Sequence, residues 1–382
     1  MNFLKKTLTI LFSLLGAAIA LVAVAFLIFA FLDIDTNSVS STIKSSPIYS
    51  DGISSIVEKV QDSTGLKGPK IIPEDGPDIE PAKITFTFED RTYSVTGAVD
   101  KRIYHGATNS PRSFVSTFNR SEVEKQADYM RAFVDDPAQQ DAIDALCEAF
   151  RAIKKKRGFS SDTYAEFITK YVQTIPYDVE RASAGLADQT LVGDPRFPVQ
   201  TIVDGKGDCD EKVFLLAALL KHEGYGCAAF LYSEEKHLCL GIKSEGAGYK
   251  NSGYEIVETT SPMYISEVPQ EFAGGVKLTS VPRVVEFGGG DKSYASSSVD
   301  DVAYIVHARD TALGRADSAK LKAEAAQSKA VFERYKQMYE DCFEAYNTLQ
   351  TTVDENGEHT NDFKDRNVAI SWLNGHDWWT GK

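Results

Sequence analysis

Hydrophobic residues in the middle of the chain gather into one helical segment, Val213–Leu220. It directly follows a turn at residues 204–210, and Gly224 comes after it, so a helix is predicted to begin at or just after Cys209 and to end before Gly224. The first backbone N–H groups of a helix have no intrahelical acceptor, and the helix dipole is positive there. Because both effects favour an anion, this position favours the thiolate form of Cys209 and makes it a candidate nucleophile.

Short apolar runs after this helix predict strands at Gly226–Tyr232, Glu235–Ile242 and Tyr254–Thr260. Cys227 and Cys239 lie inside the first two runs and are expected to pack as small apolar side chains. His237 lies on the second run and Glu258 on the third. The order along the chain is therefore a cysteine at a helix start, a histidine on one strand and a carboxylate on the next.

Upstream of the cysteine helix, apolar and polar residues alternate between Ile84 and Val95, with a break at residues 89–91. This alternation predicts a β-hairpin. Apolar residues then take helical spacing at residues 137–157 and 163–172, which predicts two helices that pack on the core.

Downstream of Pro269, glycine and serine runs indicate loops, and Val302–Val306 predicts a strand. Apolar and aromatic residues then alternate spacings of four and three, which predicts one long helix over residues 317–350. The aromatic and polar residues in this seam favour packing on its own chain, with self-association through the helix as the alternative. Near the C-terminus, Trp372, Trp378 and Trp379 form either a tail packed on the domain or an exposed aromatic surface.

The N-terminal segment Thr7–Leu32 is almost continuously apolar and carries no charged residue. About 20 such residues suffice to span a bilayer as a helix. Lys5 and Lys6 before the segment and Asp33 after it place the N-terminus in the cytoplasm and the remaining chain outside the cell membrane. A cleaved signal peptide is the alternative, but its apolar core has only about 7 to 15 residues, so an uncleaved single-pass signal anchor is favoured.

The predicted elements together give an α+β fold divided into five parts. These are an anchor at 1–32, a flexible spacer at 33–80, a small β-containing region at 81–136, a main domain at 137–310, and a C-terminal part at 311–382 that holds the long helix and the Trp-rich tail.

Composition and charge exclude several function classes. The 382 residues carry a formal net charge of −14, which argues against nucleic acid as a partner because phosphate binding needs a basic face. The five cysteines show neither metal-binding spacing nor a small disulfide framework, and one of them must stay unpaired within a monomer. Gly205-Lys206-Gly207 is too short to cradle a phosphate, so no cofactor is expected.

A nucleophilic cysteine needs a base to accept its proton and a third group to orient that base. Cys209, His237 and Glu258 can fill these roles in that order. Each residue taken alone has a simpler explanation: a buried core thiol, a structural histidine and a surface carboxylate at a strand end. The three are convincing only as a set placed in their sequence context.

Several blocks between Tyr164 and Pro269 supply that context, in a fixed order. They are Tyr171–Tyr177, Phe197–Ile202, Gly207–Asp210 with the leucine-rich helix behind it, the strand of His237, and Glu258–Thr260. In these blocks the chain resembles the transglutaminase-like superfamily of papain-type cysteine enzymes, in its bacterial and archaeal branch. Many members have Asp where this chain has Glu258.

The resemblance implies a papain-like core, in which a cysteine-bearing helix packs on an antiparallel sheet, and a catalytic triad of Cys209, His237 and Glu258. It also implies attack on amide bonds of peptides or proteins through a thioester. Water as the acceptor makes the enzyme a protease or amidase, which is the favoured alternative, and a lysine amine makes it a cross-linking acyltransferase. The Cys209 backbone N–H is expected to stabilise the oxyanion, with Gln173 as a weaker candidate donor.

Two alternatives from other classes remain. One is a catalytically idle domain that binds peptides or cell-envelope components, and the intact set of three triad residues argues against it. The other is a membrane-tethered scaffold that assembles through the helix at residues 317–350.

Overall fold

The structure is a computed structural model that describes residues 69–112, 121–187, 194–268, 277–350 and 363–376. Its first elements are β1 (Lys83–Phe88), β2 (Arg91–Thr96), α1 (Lys101–Asn109), α2 (Glu122–Val134), α3 (Gln140–Arg157), α4 (Ser161–Thr174), α5 (Val179–Ala187) and α6 (Pro198–Asp204). They are followed by α7 (Cys209–His222), β3 (Gly226–Tyr232), β4 (His237–Lys243), β5 (Tyr254–Val257), β6 (Arg283–Gly289), α8 (Ser296–Glu324), α9 (Lys329–Leu349) and α10 (Arg366–Asn374). The predicted α+β class is confirmed.

Helix α7 occupies the centre of the core. Every residue from Glu211 to Leu220 is buried, and the helix contacts α4 and α6 as well as β3, β4 and β6. A helix that is apolar on all sides requires such a position. A capping box fixes its start, because Asp208 accepts the N–H of Glu211 and the Glu211 carboxylate accepts the N–H of Asp208. The helix predicted to begin at Cys209 is confirmed.

The sheet behind α7 has four antiparallel strands in the order β5-β4-β3-β6. The central strand β3 is buried along its whole length, so its apolar run has no polar face. The three strands predicted after the cysteine helix are present as β3, β4 and β5. Because these three are consecutive in the chain and adjacent in the sheet, the start of β4 lies beside the end of β5.

The predicted N-terminal hairpin is confirmed as β1 and β2, which pair from Lys83↔Thr96 to Phe88↔Arg91. Phe86 and Phe88 direct their rings against Phe167 of α4, with ring centroids 5.2 and 5.4 Å apart. The two helices predicted before the cysteine are also present, as α3 and α4. Apart from Ser121, the described residues belong to one compact unit.

The C-terminal predictions need correction. Residues 302–306 were expected to form a strand but lie inside helix α8. The single helix expected over residues 317–350 is interrupted at residues 325–328, where Ser328 caps the start of α9. Helices α8 and α9 therefore form a hairpin, and the domain boundary expected between residues 310 and 311 falls within α8. The small side chains of α8 that are buried in this hairpin region are Ala312, Ala316, Ala319 and Ala323.

Some predictions fall outside the described residues. These include the anchor Thr7–Leu32, the first part of the spacer, and Trp378 with Trp379. Within the described ranges, no helix combines the length and the apolar character needed to cross a bilayer.

Candidate functional site

The fold brings the three predicted site residues to one end of α7. Cys209 is the first residue of α7, His237 is the first residue of β4, and Glu258 directly follows β5. The antiparallel register pairs Leu240 with Val257, so the next step of the ladder sets Cys239 opposite Glu258. His237 lies two residues before Cys239 and shares its face of the sheet, which makes it the diagonal neighbour of Glu258.

His237 and Glu258 form the best-defined contact of the site. The distance between His237 Nε2 and Glu258 Oε2 is 2.9 Å. Side-chain exposure is 12% for the histidine and 0% for the carboxylate, so the pair is sheltered from water. The contact has the geometry expected of a base and the carboxylate that orients it.

The other oxygen of Glu258 is held by the two threonines that follow it. Oε1 accepts the backbone N–H of Thr259 at 2.9 Å and both the N–H and the hydroxyl of Thr260 at 2.6 Å. Burial raises the pKa of Glu258, but His237 and the Thr260 donors outweigh burial and lower it to about 2. Glu258 is therefore ionised at neutral pH.

The ionised carboxylate determines which nitrogen of His237 carries a hydrogen. A carboxylate without a proton can only accept a hydrogen bond, so Nε2 of His237 must be the donor. In the neutral ring the lone pair then resides on Nδ1. Nδ1 is consequently the atom able to accept a proton from a nucleophile.

Cys209 lies beside the start of β4. Its side chain is half-buried, and burial raises the pKa of the thiol well above its usual range. The charges of Asp210 and Asp208 raise that pKa further, and only the backbone N–H of Leu238, on β4, lowers it. The thiolate expected from the helix start is thus opposed by burial and by nearby carboxylates. A resting thiol here keeps its proton until a base removes it.

Gln173 has a different role from the one expected. Its side-chain N–H groups donate to the backbone carbonyls of Glu258, at 2.8 Å, and Met263, at 3.0 Å. A primary amide has two N–H hydrogens, and both are used by these carbonyls, so none remains for an oxyanion. Gln173 instead fixes the backbone on which Glu258 sits.

Lys212 is a site-supporting residue that sequence reasoning missed. It lies on α7 and is 0% exposed, and its ammonium donates to the carbonyls of Gln173 at 3.0 Å and Ile175 at 2.7 Å. Burial lowers its pKa to about 7. Hydrogen bonds thus run from the cysteine helix through Lys212 and Gln173 to the Glu258 backbone. The only signal in the sequence was a charged residue within an apolar helix.

A second missed group supports the turn before Cys209. The buried carboxylate of Glu211 is paired with Arg181 at 2.5 Å and with Arg196 at 3.2 Å. Arg196 also contacts Asp178 and Asp204, each at 3.1 Å. The Glu211 carboxylate is fully buried while Arg181 and Asp204 are partly exposed, and together these ion pairs fix the segment that presents the thiol.

Tyr177 is the exposed aromatic residue next to the thiol. Its backbone forms a parallel bridge with Gly207, and 39% of the residue is accessible to solvent. After burial, the charge of Cys209 is the strongest influence that raises the pKa of Tyr177, in keeping with the bridge to Gly207, two residues before the thiol. An accessible ring in this position can contact a bound substrate.

Cys239 was expected only to fill space, and it is indeed fully buried. Its sulfur nevertheless lies 3.3 Å from Glu258 Oε2, on the oxygen that also contacts His237. The ligand atoms of His237, Cys239 and Glu258 lie within 4.8 Å of one another and could hold a metal ion. The site can therefore support either nucleophilic chemistry at Cys209 or metal binding beside it.

Comparison of the chain with protein-family models, with curated proteins and with solved structures finds no match. What the site can do therefore has to follow from its own geometry.

Proposed function

We propose that the chain is a cysteine enzyme that acts on amide bonds of peptides or proteins, with Cys209, His237 and Glu258 as its triad. The observation that carries this proposal is the 2.9 Å contact between His237 Nε2 and Glu258 Oε2, formed beside a cysteine at a helix start. A cysteine helix packed on an antiparallel sheet supports the transglutaminase-like, papain-type core suggested by the sequence.

The mechanism begins with the Cys209 thiol in its protonated form. His237 Nδ1 takes the thiol proton as the sulfur attacks the amide carbonyl carbon, and Glu258 stays ionised and stabilises the imidazolium. The tetrahedral intermediate then breaks its C–N bond, and the imidazolium gives its proton to the leaving amine. A thioester on Cys209 remains, and the released amine departs.

The second half of the reaction repeats these steps with a new nucleophile. Water attacks the thioester, His237 Nδ1 accepts its proton, and breakage of the C–S bond returns that proton to the sulfur. A carboxylic acid and the original thiol result. We favour water as the acceptor, which makes the enzyme a protease or amidase. A lysine amine in place of water would form a cross-linked amide by the same route.

One observation favours a catalytically idle binding domain instead. Burial and the neighbouring acids raise the pKa of Cys209, and a thiol that keeps its proton reacts slowly. The two functions differ in whether His237 promotes the reaction of Cys209. In the idle domain the histidine has only a structural role.

The deciding experiment measures alkylation of Cys209 by iodoacetamide between pH 5 and 9 in the full-length chain in detergent, mapped by peptide mass. The other cysteines are buried and supply an internal background. His237→Ala is compared with the wild type and with His307→Ala, which alters an exposed histidine on α8. We expect alkylation near pH 7 to fall at least tenfold in His237→Ala alone. Equal alkylation rates in all three proteins would contradict a Cys–His pair and favour the idle binding domain.

A second assay separates hydrolysis from transfer. Fluorescent casein is incubated with the enzyme in the presence of a labelled primary amine. Released peptides without incorporated amine indicate a protease, whereas incorporation of the amine into intact casein indicates an acyltransferase. Both products should disappear in Cys209→Ala.

The cellular location and the partners belong to the same proposal and rest on the sequence. We propose that residues 7–32 anchor the chain in the cell membrane, with a cytoplasmic N-terminus and an extracytoplasmic catalytic domain. A membrane-impermeant maleimide applied to intact cells tests this, using a cysteine introduced at Ser54 of the spacer. Labelling supports the orientation, and labelling only after lysis contradicts it.

Self-association is proposed through the same residues, 317–350, which form most of the α8–α9 hairpin. Exposed apolar side chains on the α8–α9 hairpin are Leu321, Val331, Phe332, Met338 and Phe343. Size-exclusion chromatography of wild type and Phe332→Glu tests this surface, and a monomer in both would end that proposal.

A further inference from the structure

We propose a second site, at the opposite end of α7, in which Cys147, His222 and Glu223 bind one divalent transition-metal ion of the Zn²⁺ class. Cys147 comes from α3, His222 is the last residue of α7, and Glu223 is the residue that follows it. Their sulfur, imidazole nitrogen and carboxylate oxygen lie within 4.8 Å of one another. The proposal does not depend on the enzymatic function of Cys209.

The spacing of the donor atoms is close to that of a tetrahedral zinc site. Bonds of about 2.0 to 2.3 Å to zinc put tetrahedral ligands about 3.5 Å apart, so small side-chain rotations would close the set. Thiolate, imidazole and carboxylate together suit Zn²⁺ better than Mg²⁺ or Ca²⁺, which prefer oxygen ligands. The fourth position would be taken by water.

His222 is already oriented as metal-binding histidines usually are. Its Nε2 lies 3.2 Å from Asp144 Oδ1, and its Nδ1 lies 3.5 Å from Glu223 Oε1. A ligating histidine generally donates its other N–H to a carboxylate, which fixes the ring and its tautomer. Asp144 therefore supplies the outer contact and directs the lone pair of Nδ1 towards the metal position.

Tyr164 adds a buried hydroxyl to the surroundings of this cluster. Tyr164 is 0% exposed, yet its hydroxyl makes no hydrogen bond of normal geometry within the part of the chain that the structure describes. After burial, the charges of Glu223 and Cys147 raise its pKa, and the Glu223 carboxylate also acts on the hydroxyl as a weak hydrogen-bond acceptor. Buried polar groups are nearly always satisfied, and a metal-bound water would give this hydroxyl a partner.

The charges also fit a bound cation. Arg151 pairs with Asp144 at 3.2 Å and with Glu223 at 2.9 Å. When the metal binds, the Cys147 S–H bond breaks, its proton goes to solvent and a metal–sulfur bond forms. One Zn²⁺ and one Arg⁺ then balance the thiolate and the two carboxylates, so the cluster has no net formal charge. Neutralisation matters most for Cys147 and Glu223, which are buried, whereas Arg151 and Asp144 are partly exposed.

The competing explanation is an ion-pair network that closes the C-terminus of α7. Arg151 and His222 complement Asp144 and Glu223 without any metal, and cations are favoured at a helix C-terminus. In that network the Cys147 thiol keeps its proton and is only a weak donor, to the backbone carbonyl of Leu219 at 3.9 Å. The two explanations therefore differ in whether a thiolate–metal bond can form there.

The test is a Co²⁺ titration of the full-length chain in detergent, after treatment with a chelator and a reductant. Cobalt bound to a thiolate gives a near-ultraviolet charge-transfer band, and Zn²⁺ added afterwards should displace it. We expect a band that saturates at about one equivalent, disappears in Cys147→Ser, and needs at least tenfold more cobalt in His222→Gln. Cys239→Ser, which alters the metal-capable group near His237, should keep the band.

Two results would overturn the proposal. One is a wild-type protein without a thiolate–cobalt band, and the other is a band that survives in His222→Gln at unchanged affinity. A band lost in Cys239→Ser but retained in Cys147→Ser would place the metal at the other end of α7. His222 is partly accessible, so its variant keeps the test decisive even where the buried Cys147→Ser variant fails to fold.

Discussion

Helix α7 has a cysteine, a histidine and a glutamate grouped at each end, and the two groups are supported in different ways. At the N-terminal end, the carboxylate of Glu258 accepts hydrogen bonds from threonine backbone and hydroxyl groups and carries no arginine partner among its described contacts. At the C-terminal end, Glu223 is paired with Arg151 and lies near His222. The first arrangement leaves His237 as the ring that donates to Glu258, whereas the second already contains a permanent cation.

The helix dipole explains why the two ends suit different chemistry. The N-terminus is positive and stabilises the negative charge that develops in acyl transfer, and the C-terminus is negative and stabilises cations. The two thiols also differ in their accessibility. Cys209 is half-buried and can meet a substrate, whereas Cys147 is fully buried and can meet only a small ion. The same three residue types thus form a candidate reaction site at one end and a candidate metal site at the other.

The largest expected effect separates the two cysteines. Cys209→Ala removes the proposed nucleophile, so the proposed amide hydrolysis should fall at least about 10³-fold, to the level of the blank. Cys342→Ala, which changes a buried cysteine on α9, should leave the rate within about twofold because it removes only packing atoms. Turnover of a fluorescent casein or peptide library measures both. Comparable rates in wild type and Cys209→Ala would show that another residue is responsible for any activity.

The next effect concerns Glu258→Gln. The neutral amide cannot stabilise the imidazolium, so the turnover rate should fall about 10²-fold or more while the Michaelis constant changes little. Glu255→Gln changes a buried carboxylate on β5 and serves as the control. Equal losses in the two variants would indicate a general effect on folding rather than a role in orienting His237.

Glu258 also predicts a pH dependence of stability. Its pKa is about 2 in the folded protein and 4.5 in an ordinary glutamate, so the ionised form contributes stability above pH 4.5 that is lost as the pH falls towards 2. This difference in the pKa of Glu258 corresponds to roughly 3 kcal/mol in the free energy of unfolding. Urea unfolding at pH 7 and pH 3 should show a larger acid loss in wild type than in Glu258→Gln. Parallel losses would contradict the depressed pKa.

Some features of the candidate site could be predicted from the sequence, and others could not. The helix at Cys209 and the three strands after it follow from local patterns of apolar residues, and the antiparallel order of β4 and β5 then brings His237 to Glu258. The roles of Gln173 and Lys212 depend on backbone carbonyls that only the folded chain places near them. No periodicity in the sequence reports such tertiary partners.

The C-terminal errors have local causes. The spacing of four and three continues from Leu321 through Ala325, Ser328 and Phe332, although the chain turns there. Neither Gly nor Pro marks residues 325–328, so only the cap at Ser328 signalled a new helix. The run at residues 302–306 was rich in β-branched residues, but Val302 and Ile305 are three apart and are buried on α8. Packing there outweighed strand propensity.

Lys212→Met tests the hydrogen-bonded link between the cysteine helix and the backbone of Glu258. The pKa of Lys212 is about 7 in the folded protein and 10.5 in an ordinary lysine, so the unfolded chain binds the extra proton between these values. Stability contributed by this residue should therefore rise as the pH increases from 7 to 10. The free energy of unfolding is measured in urea for wild type and Lys212→Met at each pH, and the difference between the two removes the effect of other titrating groups. Lys170→Met, which changes another buried lysine, is the control. A constant difference across this range would show that Lys212 keeps an ordinary pKa.

The smallest expected effect tests whether Cys239 belongs to the reaction site or only to the core. Its thiol is 3.3 Å from Glu258 Oε2, so Cys239→Ala removes a weak donor from the oxygen that orients His237. We expect the turnover rate to fall about three- to fivefold, since a weak hydrogen bond contributes less than 1 kcal/mol. Cys239→Ser keeps a donor and should restore most of the rate, whereas Cys227→Ala, in the neighbouring buried strand, should have no such effect. If alanine and serine at position 239 behave alike, the sulfur only fills space, and Glu258 is held by the threonine donors alone.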